Sequence, residues 1–399
     1  MARSRLSCAL VTFCMSLLLA ASSRAQTAPP ADSLKGQLLA FGNRLGSQQA
    51  MSALATLTSI EVSTAPLGTS TGGFTFTFDP NLRTWTRSAS TFGPSFAERS
   101  LTTGKAKVSA GFNFLHAGYD SFGGYDLQNG DLRPAQNVRS TATPISYTTL
   151  KMNMSSDTVV GFAHVGVTDN FDVGIAVPWV RVSLDAEGAF FNAAGSDLSA
   201  GQHPVIPMTT SSGVGDIAIF GKYQLYKHEN GGVAAAVELR FPSGDKNELR
   251  GLGVTRTLAA LIWSKGGKIS PHANVGYEFW SDNVPIALDG SVFAKNQAKY
   301  AVGVEFEAHP RATIVVDLVG RQLMNGGQIG YQTFPASVGT GSADLLVGTP
   351  EGVGQVALAP GVKFNVWRSV LITGNVLASL TTGGVRARFI PVIGVDWAF

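Results

Sequence analysis

A regular alternation of apolar and polar residues runs from Lys105 to the end of the chain. In residues 355–367, for example, Val356, Leu358 and Val362 share one face, while Lys363 lies on the other. Such a period of two is typical of β-strands, because successive side chains point to opposite faces. We predict twelve strands, near residues 105–118, 144–167, 171–186, 213–227, 232–242, 253–264, 268–281, 297–308, 312–323, 355–367, 369–381 and 384–399.

The connections between these strands alternate between short and long. The short turns all fall on one side, together with both ends of the predicted strand array. The longer connections, on the other side, cover residues 119–143, 187–212, 243–252, 282–296 and 324–354. Outer-membrane barrels have this asymmetry and an even number of strands. A soluble β-sandwich also alternates, but its strands are usually shorter. The pattern therefore favours an all-β fold, a transmembrane antiparallel β-barrel in residues 105–399.

The amino terminus carries the features of a secretory signal peptide. Arg3 and Arg5 form a basic start, Leu6 to Ala21 is apolar, and Ser23 and Ala25 are the small residues that a signal peptidase reads. The apolar run is short for a membrane-spanning helix, which needs about 20 residues. We therefore predict that residues 1–25 are removed on export.

Composition narrows the functional classes. Both cysteines, Cys8 and Cys14, lie in the predicted signal peptide, so we expect neither disulfides nor a thiolate metal site after cleavage. Without Arg3, Arg5 and Arg24 the chain has 27 basic and 27 acidic residues. This balance argues against nucleic acid as a partner.

An exported chain without a long apolar helix can cross a bilayer only as a closed barrel, because every backbone polar group must be satisfied internally. We therefore expect the protein in the bacterial outer membrane, with lipid around it. The final strand, "FIPVIGVDWAF", presents apolar residues at every second position and ends on Phe399. Trp397 and Phe399 are predicted to lie in the interfacial aromatic girdle. A terminal strand of this kind is also expected to be recognised by the barrel-assembly machinery.

The region before the barrel, residues 26–104, has a different character. A linker covers residues 26–32, and apolar spacing predicts an amphipathic helix over 33–60 with Asp32 or Ser33 as N-cap. The stretch "GGFTFTFDPNLRTWTRS" predicts a β-hairpin over 73–88. This region either plugs the lumen or lies on the periplasmic side, and a hairpin that joined the wall would give fourteen strands.

Charged residues of both signs are predicted on the inward face of the barrel. We expect the lumen to be lined by Asp216, Lys222, Glu238, Arg240, His272, Glu278, Lys299, Glu305, Asp317, Arg321, Lys363 and Arg388, with Glu307, Arg386 and Asp396 on the same face. Mixed signs do not favour a strongly charge-selective pore. The sequence contains neither an HExxH metal motif nor a GxSxG nucleophile elbow. We therefore expect no catalytic residues, no metal and no cofactor.

Three stretches resemble a known family. They are "GVGDIAIFGKYQLY" (213–226), "VAAAVELRFPSGDKNELRGLG" (233–253) and "PHANVGYEF" (271–279), and they are similar to the family described as Putative MetA-pathway of phenol degradation. The resemblance implies an exported, transporter-like barrel and points to small aromatic or other hydrophobic molecules. We expect passive passage, because the sequence has no ATP site and an outer membrane holds no useful energy source. A structural or surface-binding barrel without transport, with loops 187–212 and 324–354 as its contact surface, is the alternative. A lipid-modifying barrel enzyme is a third.

Overall fold

A computed structural model describes residues 28–64, 73, 75–79, 84–87, 89–140, 147–228, 231–335 and 341–399. Within these residues, twelve antiparallel strands close into a barrel. The wall strands are β1 (Val108–Tyr119), β2 (Tyr147–Thr168), β3 (Phe171–Phe191), β4 (Ala218–His228), β5 (Gly231–Arg240), β6 (Arg256–Ser264), β7 (Ile269–Trp280), β8 (Phe293–His309), β9 (Ala312–Pro335), β10 (Gly341–Trp367), β11 (Val370–Ser379) and β12 (Phe389–Ala398). The barrel closes where β12 pairs with β1, from Val392 opposite Leu115 to Ala398 opposite Ser109.

The fold class and the count of twelve strands are confirmed, and each predicted strand overlaps one wall strand. The hairpin of residues 73–88 does not add two strands to the wall. Its described strands, Phe76–Asp79 and Thr84–Arg87, pair only with each other in a separate sheet. The predicted signal peptide lies outside the described residues and stays a prediction.

Two wall positions differ from the sequence expectation. Two separate strands occupy the fourth position of the wall. Val205–Val214 pairs with the later half of β3, from Trp179 to Glu187, and β4 pairs with its earlier half, from Phe171 to Ala176. Residues 324–354 were predicted as a loop, but β9 and β10 continue through them as a paired hairpin up to Pro335 opposite Ser342. Glycines near 325–330 interrupt the alternation there, with Gly326 and Gly327 at φ 67° and 106°, which hides the strand signal.

Shorter strands lie at the end of the barrel opposite the tight turns. Ala135–Ser140 pairs with the tip of β10, and Val284–Pro285 pairs with the start of β8. Ser121–Phe122 pairs with Tyr125–Asp126 and with Val385–Arg386 in a small three-stranded sheet. In the predicted orientation, this is the extracellular end.

The outer surface of the wall is apolar. On β8, Val302, Val304 and Phe306 are 47%, 39% and 47% exposed, and on β12 Ile393 is 60% exposed. Their neighbours in sequence point inward, because side chains alternate along a strand. A closed wall with an apolar exterior suits a lipid environment, since lipid cannot satisfy polar groups. Among the described residues, no helix is long and apolar enough to span a bilayer.

Two helices occur in the described residues, α1 (Leu34–Arg44) and α2 (Gln48–Thr64). Ser33 is the N-cap of α1, and its Oγ accepts a hydrogen bond from the Gly36 amide at 3.1 Å. Gly46, at φ 77°, lies in the break between the helices. The single amphipathic helix predicted for 33–60 is thus two helices.

Both helices pack against inward-facing residues of the wall. Leu38 and Leu54 belong to the same apolar core as Leu150 of β2 and Leu184 of β3. Fourteen of the 17 residues of α2 are buried. This helix therefore has no polar face turned to water, although the sequence suggested an amphipathic one. Alanine, serine and threonine make up much of α2, and these small side chains allow close approach to the wall.

Candidate functional site

A cavity of about 290 Å³ lies inside the barrel, lined by residues of the wall, by the end of α2 and by residues 96–98. Ligand sites in proteins commonly have volumes of about 300–1,000 Å³ and mostly apolar linings. Apolar side chains supply much of this lining: Phe96, Leu115, Phe162, Phe220, Leu258, Ile262, Val319, Leu377 and Ile390. The cavity therefore has the size and character of a site for a small apolar molecule.

Glu61 of α2 bounds the cavity on one side. Its carboxylate pairs with Arg321 of β9 through Oε2, and its Oε1 lies 3.5 Å from Nη1 of Arg386. Further hydrogen bonds position both guanidinium groups. Arg321 Nε donates to Gln355 Oε1 at 2.5 Å, and Arg386 Nη2 donates to Thr381 Oγ1 at 2.8 Å.

Residues 89–103 bound the cavity on the side of the tight turns, and they contain neither helix nor strand. Asp317 of β9 holds this segment. Its Oδ2 accepts hydrogen bonds from the Ser95 and Phe96 amides, both at 2.9 Å. His272 Nε2 lies 2.7 Å from Asp317 Oδ1, and an ionised carboxylate only accepts, so Nε2 carries the proton.

Further ionic contacts fasten the same segment. Arg99 pairs with Glu305, and both side chains are buried. Lys222 donates to the Arg99 carbonyl at 3.1 Å, and Lys363 donates to the Pro94 carbonyl at 2.7 Å. The segment is thus held to four or more wall strands by hydrogen bonds and ion pairs rather than by apolar packing alone.

A second charged cluster lies along the wall beside the cavity. Arg256 Nη2 donates to Asp216 Oδ2 at 3.0 Å, and Lys299 Nζ donates to Glu278 Oε2 at 2.5 Å. Arg256 has no solvent exposure. Removing one partner of such a buried pair leaves an uncompensated charge, so the cluster ties neighbouring strands together.

The twelve residues predicted to line the lumen fall into four groups. Lys222, Glu238, Arg240, Lys299 and Arg321 line the cavity. His272, Glu305, Asp317 and Lys363 are buried beside residues 89–103, which Lys222 also contacts, and Asp216 and Glu278 belong to the wall cluster. Arg388 is exposed, with its guanidinium carbon 5.6 Å from the centre of the Phe389 ring. The structure does not bring Arg388 to the other charges.

Sequence reasoning missed five charged residues of this interior: Glu61, Glu98, Arg99, Asp172 and Arg256. All precede the barrel or sit at a strand start, where alternation gives no guidance. One signal was available for Glu61. It is the sole charged residue in the 17 residues of α2, and a lone carboxylate in an apolar helix predicts a buried cationic partner. No cluster of three or more His, Cys, Asp or Glu in the described part of the chain is placed to hold a metal ion.

The closed wall and its apolar exterior define the class: a bacterial outer-membrane β-barrel. The chain belongs to the family described as Putative MetA-pathway of phenol degradation, whose model matches residues 133–382. No curated protein matches it significantly.

Three solved structures are similar to this chain at low sequence identity. The COG4313 outer membrane channel from Pseudomonas putida F1 is 11% identical, with a TM-score of 0.46, over 75% of this chain and 98% of that one. A Pseudomonas aeruginosa FadL homologue is 12% identical, with a TM-score of 0.33, over 84% and 97%. The Ralstonia pickettii toluene transporter TbuX is 11% identical, with a TM-score of 0.28, over 75% and 91%.

Proposed function

We propose that the protein passes small apolar molecules, aromatic compounds among them, across the outer membrane by passive diffusion through the barrel. The observation that carries this proposal is the apolar cavity enclosed by the wall. A purely structural barrel gains nothing from such a space, because an empty cavity forfeits packing contacts. Membership of the phenol-degradation family agrees with an aromatic substrate.

In this proposal, the region before β1 acts as the plug that controls passage. A molecule in the cavity reaches the periplasm only after residues 89–103 move, since these residues close that side. Their contacts with Asp317 and Glu305 are hydrogen bonds and ion pairs. Water can replace such contacts one by one, so the segment can detach without unfolding the wall.

A filled cavity tests the proposal. Ala260 of β6 lines the cavity, and its neighbour Ala259 is exposed on the outer face. Ala260→Trp places an indole in the cavity, whereas Ala259→Trp places the same ring in lipid. Cells that differ only in the variant they express are given radiolabelled toluene, and the initial rate of toluene uptake is measured.

We expect Ala260→Trp to lower the uptake to the level of cells without the protein, and Ala259→Trp to leave it at the wild-type level. Equal uptake by wild-type and barrel-free cells would contradict transport. It would favour the alternative of a structural or surface-binding barrel. Equal uptake by the two tryptophan variants would show that toluene does not use this cavity.

A further inference from the structure

We infer that Arg321 and Arg386 together bind one carboxylate group of the transported molecule, and that Glu61 occupies this site until the ligand displaces it. The inference rests on the proposed function and deepens it. It assigns the substrate class: a small molecule with an apolar body and a single carboxylate. It also gives Glu61 a role as an internal substitute for that carboxylate.

The first support is the arrangement of the two guanidinium groups. Arg321 and Arg386 approach one carboxylate, that of Glu61, from two directions. Arg321 donates to Gln355 of β10, and Arg386 donates to Thr381, which follows β11, so each guanidinium group keeps one partner when Glu61 leaves. Planar guanidinium groups positioned in this way are well suited to carboxylates.

The second support is that Glu61 satisfies the pair only in part. Its Oε1 lies 3.5 Å from Arg386 Nη1, which is long for a hydrogen bond. Arg386 Nε is buried and has no hydrogen-bond partner among the described residues. A buried donor without an acceptor costs about 1–3 kcal/mol. A free carboxylate, which is not tied to a helix, can reach this donor and recover that cost.

The third support is the charge of the whole lining. Five cationic and three acidic side chains line the cavity. The cations are Lys222, Arg240, Lys299, Arg321 and Arg386, and the acids are Glu61, Glu98 and Glu238. Three of these cations have a carboxylate partner each: Lys222 pairs with Glu98, Arg240 with Glu238 and Lys299 with Glu278. Arg321 and Arg386 share the single carboxylate of Glu61, so the excess positive charge lies at this pair and favours an anionic ligand over a neutral one of equal shape.

The apolar body of the ligand has a place beside the arginine pair. Ile390 and Ala387 follow Arg386 in the chain, and Val319 precedes Arg321 by two residues; all line the same cavity. A ligand whose carboxylate meets the arginines therefore lays its hydrocarbon part on these side chains. Neutral aromatic molecules use the apolar part alone and bind more weakly.

Displacement of Glu61 also links binding to the plug. Glu61 lies three residues before the end of α2. When a ligand takes its place, the end of this helix loses its ionic contacts with Arg321 and Arg386 and keeps the hydrogen bonds that Arg240 and Arg256 donate to the Ser63 carbonyl. Binding thereby favours the state in which α2 is less firmly held, because a ligand stabilises the state that it binds better.

The test compares benzoate with benzamide, which has the same ring and no charge. Isothermal titration of the purified full chain in detergent at pH 7 measures both affinities. We expect benzoate to bind at least about tenfold more tightly. Glu61→Gln removes the internal competitor and should raise the affinity for benzoate about tenfold, while that for benzamide stays unchanged. Arg386→Gln should abolish the preference for benzoate.

Glu98→Gln is the matched control, because Glu98 lines the same cavity but pairs with Lys222 at 3.7 Å. An equal gain in both glutamine variants would overturn the assignment to the arginine pair. Equal affinities of the wild type for benzoate and benzamide would also overturn it. If toluene uptake persists in that case, the proposed function stands and only this inference fails. Changed migration of unboiled protein on a gel identifies any variant that does not fold.

Discussion

Asp317 offers the sharpest test of how residues 89–103 are held. Its side chain is fully buried and accepts hydrogen bonds from the Ser95 and Phe96 amides at 2.9 Å. A hydrogen bond to a charged group contributes about 1.5–3 kcal/mol. Asp317→Ala removes both bonds and the contact with His272 Nε2, and leaves three buried donors without this acceptor. We expect the free energy of local opening at residues 95–96 to fall by about 3 kcal/mol.

A loss of about 3 kcal/mol corresponds to roughly a 100-fold change in an opening equilibrium. Hydrogen–deuterium exchange at the Ser95 and Phe96 amides, followed by mass spectrometry, measures this change directly. The wall should keep its slow exchange, because its own ladder does not depend on Asp317. Asp344→Ala is the control: Asp344 accepts from Thr333 Oγ1 at 2.6 Å on the exposed part of the β9–β10 hairpin.

Two results would refute the reasoning. Unchanged exchange at residues 95–96 would mean that Asp317 does not hold the segment. Faster exchange across all wall strands would mean that the substitution unfolds the barrel instead of releasing one segment. In either case, the proposed movement of residues 89–103 would lose its physical basis.

Three further predictions follow from the wall and the helices. Leu261→Arg places a charge on the outer face, where Leu261 is 54% exposed. It should destabilise the barrel by about 2–4 kcal/mol, measured by denaturant titration of the protein folded into vesicles. An unchanged unfolding midpoint would contradict a lipid-facing position. Gly303→Ala brings a Cβ to 2.4 Å from Asp317 Oδ1, so the Asp317 carboxylate that holds residues 89–103 must shift. These residues should become sensitive to protease. Protease resistance equal to that of the wild type would count against this contact. Ser33→Ala removes the N-cap of α1 and should lower the free energy of local unfolding of this helix by about 1 kcal/mol. The amides of the first turn of α1 should then exchange faster with deuterium. Unchanged hydrogen–deuterium exchange would show that the cap is dispensable.

The sequence was informative where a feature depends on local periodicity. Val302, Val304 and Phe306 face lipid, as their alternation with Gly303 and Glu305 predicts. Twelve strands could be counted for the same reason, because the alternation within each strand shows which of its faces is apolar. Local turn residues set the ends of most strands to within a few positions.

Contacts between distant parts of the chain could not be predicted in this way. Glu61 and Arg321 are separated by 260 positions, and no period relates a helix before the barrel to one strand of its wall. The sequence therefore showed that Arg321 is charged and inward, but not which carboxylate it meets. The continuation of β9 and β10 through residues 324–354 was missed because glycines around Gly327 break the alternation that identified the other strands.

The position of residues 89–103 has a consequence for assembly. This segment precedes β1 in the chain, and β1, which ends at Tyr119, meets β12, which begins at Phe389, to close the barrel. Because the closed wall surrounds residues 89–103, we expect this segment to be inside before β12 pairs with β1. In that order of events, Arg99 pairs with Glu305 and Lys363 donates to the Pro94 carbonyl before the barrel closes.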